Sequence, residues 1–190
     1  MVISTGKERY IMSLLRKITS AFSGFFLALI GGCTNSTTAQ IPAVEPFDIK
    51  AYAGLWYEIA RMPNWFEKGM SDITAFYSLE PDGKIKVVNS GMKNGRRKEI
   101  TGKAWFTVRP QVGALRVSFF YPFSGVYKII HINDTYTLAV VAGGDYSLLW
   151  ILARTPVISE AELERTVQWI TAMGFESGKL IYTQKNMTLP

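Results

Sequence analysis

The sequence is poor in the residues that build disulfides and metal centres. It has one cysteine and one histidine among 190 residues. A single Cys excludes a disulfide framework within the chain and any multi-Cys zinc site. A single His argues against a His-rich catalytic metal centre. No run of 18 uncharged apolar residues occurs, so an ordinary transmembrane helix is excluded. There is no Gly-rich phosphate loop and no cluster of carboxylates, and Ser118 and Ser147 lack a nucleophile-elbow sequence. His131 falls mid-strand, with Asp134 nearby in sequence and no nucleophile to serve. An enzyme is therefore not expected. Nor is a nucleic-acid partner, since no face gathers Lys and Arg. Arg96-Arg97-Lys98 is one short cluster, read as a solvated hairpin end or, more sharply, as a contact for anionic head groups.

What the chain does contain is apolar and aromatic. Hydrophobic residues make up 48% and aromatics 13%, which rules out a disordered polymer. The length suits one domain with a small appendage. The appendage comes first. Arg16 and Lys17 form a basic step before the uncharged run from Ala21 to Ile30, which is too short for a bilayer and suits the core of a secretory signal. Ile30-Gly31-Gly32-Cys33 resembles the bacterial lipoprotein box. That resemblance implies cleavage before Cys33, a diacylglyceryl thioether on its sulfur and an acyl chain on its new N-terminus. These lipids are the only attached groups expected, and no separate cofactor is. Two or more chains make a stable anchor where one does not. The following Thr34, in place of Asp, implies the outer membrane by the same resemblance. The alternative is an ordinary cleaved signal with a chance Cys. Translation from Met12 would give a more usual basic start than Met1.

Removal of residues 1–32 leaves 17 basic and 14 acidic residues, a net +3 against +6 for the whole chain. Much of the basicity belongs to the signal. Residues 33–46 are small, polar and Pro-containing, and read as a tether. The sequons at Asn35, Asn133 and Asn186 are read as chance. The domain is expected over 47–185, with 186–190 as a tail.

From Phe47 onward, short β-rich runs alternate with turn signals. The runs are Leu55–Met62, Ile73–Leu79, Ile85–Ser90, Glu99–Val108, Leu115–Phe120, Val126–Ile132, Tyr136–Ala142 and Ser147–Ala153. Pro81-Asp82-Gly83, Asn94-Gly95 and Gly143-Gly144-Asp145 separate them. A single helix follows. Ser159 with Glu162 forms a capping box, Leu163, Val167 and Ile170 are helically spaced, and Gly174 stops it. Lys179–Gln184 is predicted as a last short strand. An eight-strand meander leaves two edges open unless the first strand meets the last. The fold class is thus all-β, an eight-stranded antiparallel up-and-down barrel with one C-terminal helix packed outside. Eight strands enclose room for one small ligand.

Three blocks carry a family resemblance: Gly54-Leu55-Trp56-Tyr57-Glu58-Ile59-Ala60-Arg61, then Gly144-Asp145-Tyr146, then Trp150-Ile151-Leu152-Ala153-Arg154-Thr155-Pro156. Together they resemble the lipocalins, and among them the bacterial outer-membrane lipoproteins of the apolipoprotein-D-like group. The second block is only approximate, because it lacks a spacing residue. The resemblance spans Phe47 to Gln184. It implies that Gly54, Trp56 and Arg154 are structural, the guanidinium stacking on the indole and bonding carbonyls of the N-terminal segment. It implies Tyr77, Phe119 and Trp150 as pocket-lining positions. By strand parity Val117 and Tyr121 join Phe119, and Leu152 joins Trp150. Phe119 to Phe123 and Met62 to Phe66 concentrate aromatics at strand ends, either as core or as an exposed lip. Lys68, Arg109 and Lys128 are read as surface cations, or as partners for a phosphate or carboxylate.

The resemblance implies a protein held at the outer membrane that binds and stores or transfers a lipid, a fatty acid or lysophospholipid. The alternatives are an interaction lipoprotein whose barrel its own side chains fill, and a carrier of another small hydrophobe such as a tetrapyrrole. The expected partners are that ligand and the membrane, with the protein a monomer or dimer.

Overall fold

The structure is a computed structural model that describes residues 41–183. The signal, Met12, Cys33, the sequons at Asn35 and Asn186 and the tail all lie outside the described residues. A short helix, α1 (Ile49–Tyr52), precedes eight consecutive strands. These are β1 (Gly54–Arg61), β2 (Met70–Leu79), β3 (Ile85–Lys93), β4 (Arg96–Phe106), β5 (Ala114–Phe120), β6 (Phe123–Ile132), β7 (Leu138–Ala142) and β8 (Leu149–Ala153). Helix α2 (Glu160–Ala172) and a two-residue strand, β9 (Ile181–Tyr182), follow among the described residues. Each strand pairs with the next, and β1 pairs with both β2 and β8, so the meander closes. Closure leaves no free edge along the seam between first and last strands.

The period-2 alternation divides the side chains between two cores. Trp56, Ala75, Tyr77, Ile85, Val87, Ala104, Leu115, Ile129, Val141 and Leu152 face the interior. Ile59, Val140, Leu149, Ile151 and Ala153 face outward and meet Leu163 and Ile170 of α2. That is why β7 is buried at every position: one face lines the barrel and the other lies under the helix.

Helix α2 begins where its sequence says it should. Ser159 is the N-cap, and its hydroxyl accepts the Glu162 N–H at 3.3 Å. Leu163, Thr166 and Ile170 form the buried stripe. His131, expected mid-strand, lies on the outer face with its ring 5.0 Å from that of Trp169.

Four expectations change. The predicted last strand, Lys179–Gln184, is reduced to Ile181–Tyr182, after a 3-10 turn at Ser177–Lys179. The strand expected from Tyr136 starts at Leu138. Asn133 Oδ1 takes the N–H groups of Thr137 and Leu138 at 2.8 and 3.1 Å and holds that stretch as a turn. Helix α1 was not read from the sequence. The end of the tether is also different, since residues 41–46 dock on the barrel wall. Ile41 is 1% exposed, and Val44 exchanges backbone bonds with Ile129 and Gly113 at 2.9 and 3.0 Å. An Ile in reach of an apolar wall is buried rather than left in water.

Candidate functional site

The up-and-down topology gives the barrel two unlike ends. One carries the β2–β3, β4–β5 and β6–β7 turns, and α1 covers it. Phe47 N–H donates to Gln111 O at 2.8 Å and Asp48 N–H to the Tyr136 hydroxyl at 2.9 Å, fixing α1 across that end. The other end carries the β1–β2, β3–β4, β5–β6 and β7–β8 connections.

Trp56 closes the covered end. It is 0% exposed, and its indole N–H donates to Tyr52 O at 2.8 Å. The Tyr52 ring packs 4.9 Å away. Arg154 lies outside this floor with its guanidinium carbon 3.9 Å from the indole centroid. Its nitrogens donate to the carbonyls of Leu55 (2.7 Å), Ala51 (2.8 Å), Tyr52 (3.0 Å), Ala53 (2.9 Å) and Tyr136 (3.2 Å). One side chain thus ties α1, β1 and the β6–β7 turn together. Gly54 has φ +101°, and a Cβ there would stand 3.4 Å from the guanidinium. Only glycine takes that backbone shape without strain.

Three tyrosines sit above the floor. The Tyr127 hydroxyl is 2.6 Å from that of Tyr52 and 2.7 Å from that of Tyr77. Burial raises the pKa of all three, Tyr77 to about 12, so they remain neutral hydrogen-bonding groups.

Farther up, the inward positions open. Val117, Phe119 and Trp150 face in but are only half-buried, with Asn89 and Ile100 at neighbouring inward positions. Phe119 lies so close to Gly102 that a Cβ there would fall 2.6 Å from the ring. The strand β4 backbone itself therefore forms the wall behind that ring. The lining positions expected from sequence, Tyr77, Val117, Phe119, Trp150 and Leu152, belong to this one interior cluster. Tyr121 does not. It is 93% exposed in the β5–β6 turn. Strand β5 ends at Phe120, so the alternation that puts Phe119 inward no longer applies at Tyr121.

A charged group inside the barrel escaped the sequence reading. Glu58 and Arg61 are 6% and 2% exposed, and Arg61 Nη1 donates to Glu58 Oε1 at 2.5 Å. Arg61 Nε is 3.6 Å from Glu67 Oε2, and Arg61 Nη2 donates to Glu67 O at 3.1 Å. The Trp150 indole N–H donates to Glu67 Oε2 at 3.1 Å, and the Asn64 amide bonds the same oxygen. Strict alternation along β1 would turn Ala60 inward after Trp56 and Glu58. A bulge between Glu58 and Ala60 turns Arg61 inward instead, opposite Trp150. Two buried carboxyls share one guanidinium. Burial first, and the Glu67 charge second, push the Glu58 pKa up to about 8.

Of the cations considered in sequence, Lys68 is exposed in the β1–β2 loop. Arg109 pairs with Glu45 at the covered end. Lys128 Nζ donates to Ile41 O at 3.2 Å on the barrel wall.

The Lipocalin-like domain family matches residues 47–185. The chain belongs to the lipocalin family. The Outer membrane lipoprotein Blc of Citrobacter freundii is 40% identical to this lipocalin over 178 residues, covering 92% of this chain and 97% of the relative. Apolipoprotein D of Macaca fascicularis is 30% identical over 188 residues, covering 92% and 96%. Among solved structures, insecticyanin from the tobacco hornworm Manduca sexta matches with a TM-score of 0.65 at 23% identity, over 80% of this chain and 86% of that one. That likeness bears on the fold alone. With relatives of the Blc type, this lipocalin is a lipid-anchored protein of the outer membrane. Its family is one of binding and transport proteins.

Proposed function

We propose that this outer-membrane lipocalin holds one single-chain lipid, a fatty acid or lysophospholipid, in its barrel and stores or transfers it without chemical change. The observation that carries this reading is the gradient of exposure along the interior. Trp56, Ile85, Val87 and Ile129 are sealed near the floor, whereas Val117, Phe119 and Trp150 above them are half-buried. A barrel filled by its own side chains would bury all inward positions alike. An acyl chain laid along Tyr77, Leu152, Val117 and Phe119 gains about 0.8 kcal/mol per CH₂ removed from water. The tyrosine hydroxyls satisfy one another, so an apolar chain end can rest on them without leaving polar groups unpaired.

In this reading the acyl anchor is on Cys33. Native mass spectrometry of the gently extracted protein is expected to show a co-purified lipid. Titration of delipidated protein with lysophosphatidylcholine or oleate is expected to change Trp fluorescence saturably, and Trp150→Phe to remove most of the change. Absence of a saturable response to either amphiphile would overturn the proposal.

A further inference from the structure

Among the described residues, two buried side-chain polar atoms have no hydrogen-bond partner: Arg61 Nε and Asn89 Oδ1. Arg61 Nε at least faces a carboxylate, Glu67 Oε2 at 3.6 Å. No ion pair answers Asn89. It lies inside β3, which is paired on both sides, with Ala75 of β2 and Ile100 of β4 directly across. Val87 and Gly91 are the adjacent inward positions along the same strand. All four neighbours are apolar, so the amide stands alone in that stretch of wall. Asparagine is costly there on two counts. It is disfavoured in strands, and its buried carbonyl oxygen has given up water for nothing. Valine would fill the position without either cost.

The tyrosine cluster is one diagonal step away, since Tyr77 pairs with Val87 and Asn89 is the next inward residue. The hydroxyls of Tyr52, Tyr77 and Tyr127 carry three protons and six lone pairs between them. Bonds among themselves use at most three protons and three lone pairs, so at least three lone pairs are left over. Tyr127 is half-buried within the interior cluster, whereas Val87 is sealed at 2% exposure. This side of the barrel is therefore rich in hydrogen-bond acceptors that the protein itself does not use.

The group that answers them is a neutral hydroxyl. It has a proton for Asn89 Oδ1 and lone pairs for the amide N–H groups. An ester or ketone carbonyl has no proton to give. A carboxylate or an ammonium would carry a full charge into an apolar wall. Asn89 lies one inward step above the sealed Val87 and four residues short of Lys93, where β3 ends. A hydroxyl that reaches it is carried on the chain, below a head group at the mouth. We infer that Asn89, with Tyr77 and Tyr127 beside it, forms a subsite for a hydroxyl on the acyl chain, and that the barrel selects hydroxylated single-chain lipids over their unsubstituted homologues. The inference rests on the reading of the barrel as a lipid site and adds the chemistry of the chain.

The test titrates the delipidated protein with stearate and with monohydroxystearates that bear the hydroxyl near the carboxyl, at mid-chain or at the far end. Trp fluorescence reads the binding. At least one hydroxylated isomer is expected to bind about three- to tenfold tighter than stearate, the worth of one hydrogen bond. Asn89→Val removes the amide and suits a strand, and it is expected to bring that ratio close to one. Tyr127→Phe keeps the ring, removes the central hydroxyl of the cluster and is expected to lower the ratio as well. Melting temperatures check that both variants are folded. If stearate binds saturably and no isomer exceeds it, or if the advantage survives in both variants, the subsite is overturned and the lipid reading stands. If neither stearate nor any isomer binds, both are overturned.

Discussion

Arg154 shows how much a single side chain can organise. Its five carbonyl contacts and its place over Trp56 join three segments that sequence separates by up to about a hundred residues. Arg154→Ala removes the stacking and leaves several carbonyls to find other partners. A loss of about 2–4 kcal/mol is expected, read as a lower urea midpoint. Lysophospholipid affinity of the folded fraction is expected to hold, because the guanidinium lies outside the floor. Lys at this position restores the charge but not the planar fork, so it should recover only part of the loss.

Glu58 gives a prediction in pH. Its unfolded value is the ordinary 4.5, and burial raises the folded value to about 8. Below both values the carboxyl is protonated in either state and costs nothing. Between them the unfolded chain releases its proton and the folded protein keeps it. Stability from this group is therefore present in acid and lost as pH rises toward 8. The melting temperature of the wild type should fall over that window, and Glu58→Gln should flatten the fall. A variant with the same pH slope as the wild type would refute this assignment.

Among the elements, α2 is the clearest case of local sequence agreeing with tertiary need. Ser159, Glu162, Leu163 and Ile170 specify its start and its buried stripe. Ser159→Ala should cost about 1 kcal/mol through the lost cap. Leu163→Ala, at 0% exposure beneath the helix, should cost about 2–5 kcal/mol through a cavity. Both are measurable by denaturant unfolding, and neither should alter fluorescence titration by a lysophospholipid. Strand β1 is the opposite case. Its residues were legible as a strand, but the bulge after Glu58 was not, because only pairing against β8 requires the extra residue. Parity therefore fails at Arg61, and the buried Arg61–Glu58 hydrogen bond has no sign in the sequence pattern. Parity failed at Tyr121 for a related reason: the end of β5 is set by its turn, not by its composition. The side chains of Glu67 and Trp150 meet across 83 positions, with no local signal for their contact.

At the scale of the whole molecule, closure and asymmetry matter most. Closure pairs β1 with both β2 and β8 and removes the free edges. Asymmetry leaves one end sealed by Trp56 and α1 and the other open. Cys33→Ser is expected to move the protein from the membrane fraction to the soluble fraction on cell fractionation, since the anchor's acyl chains supply most of the attachment. Retention in the membrane fraction would mean that attachment does not depend on acylation at that cysteine.

The sequence by itself determined the strand count, the helix and its cap, the pairing of Trp56 with Arg154 through family motifs, and the near-absence of thiol and imidazole chemistry. These are local or one-dimensional properties: alternation, spacing, turn residues and composition. Only the tertiary structure decided which residues of β1 turn inward and how residues 41–46 dock. Such facts depend on contacts between segments distant in sequence, where one extra residue in a strand reverses every later side chain.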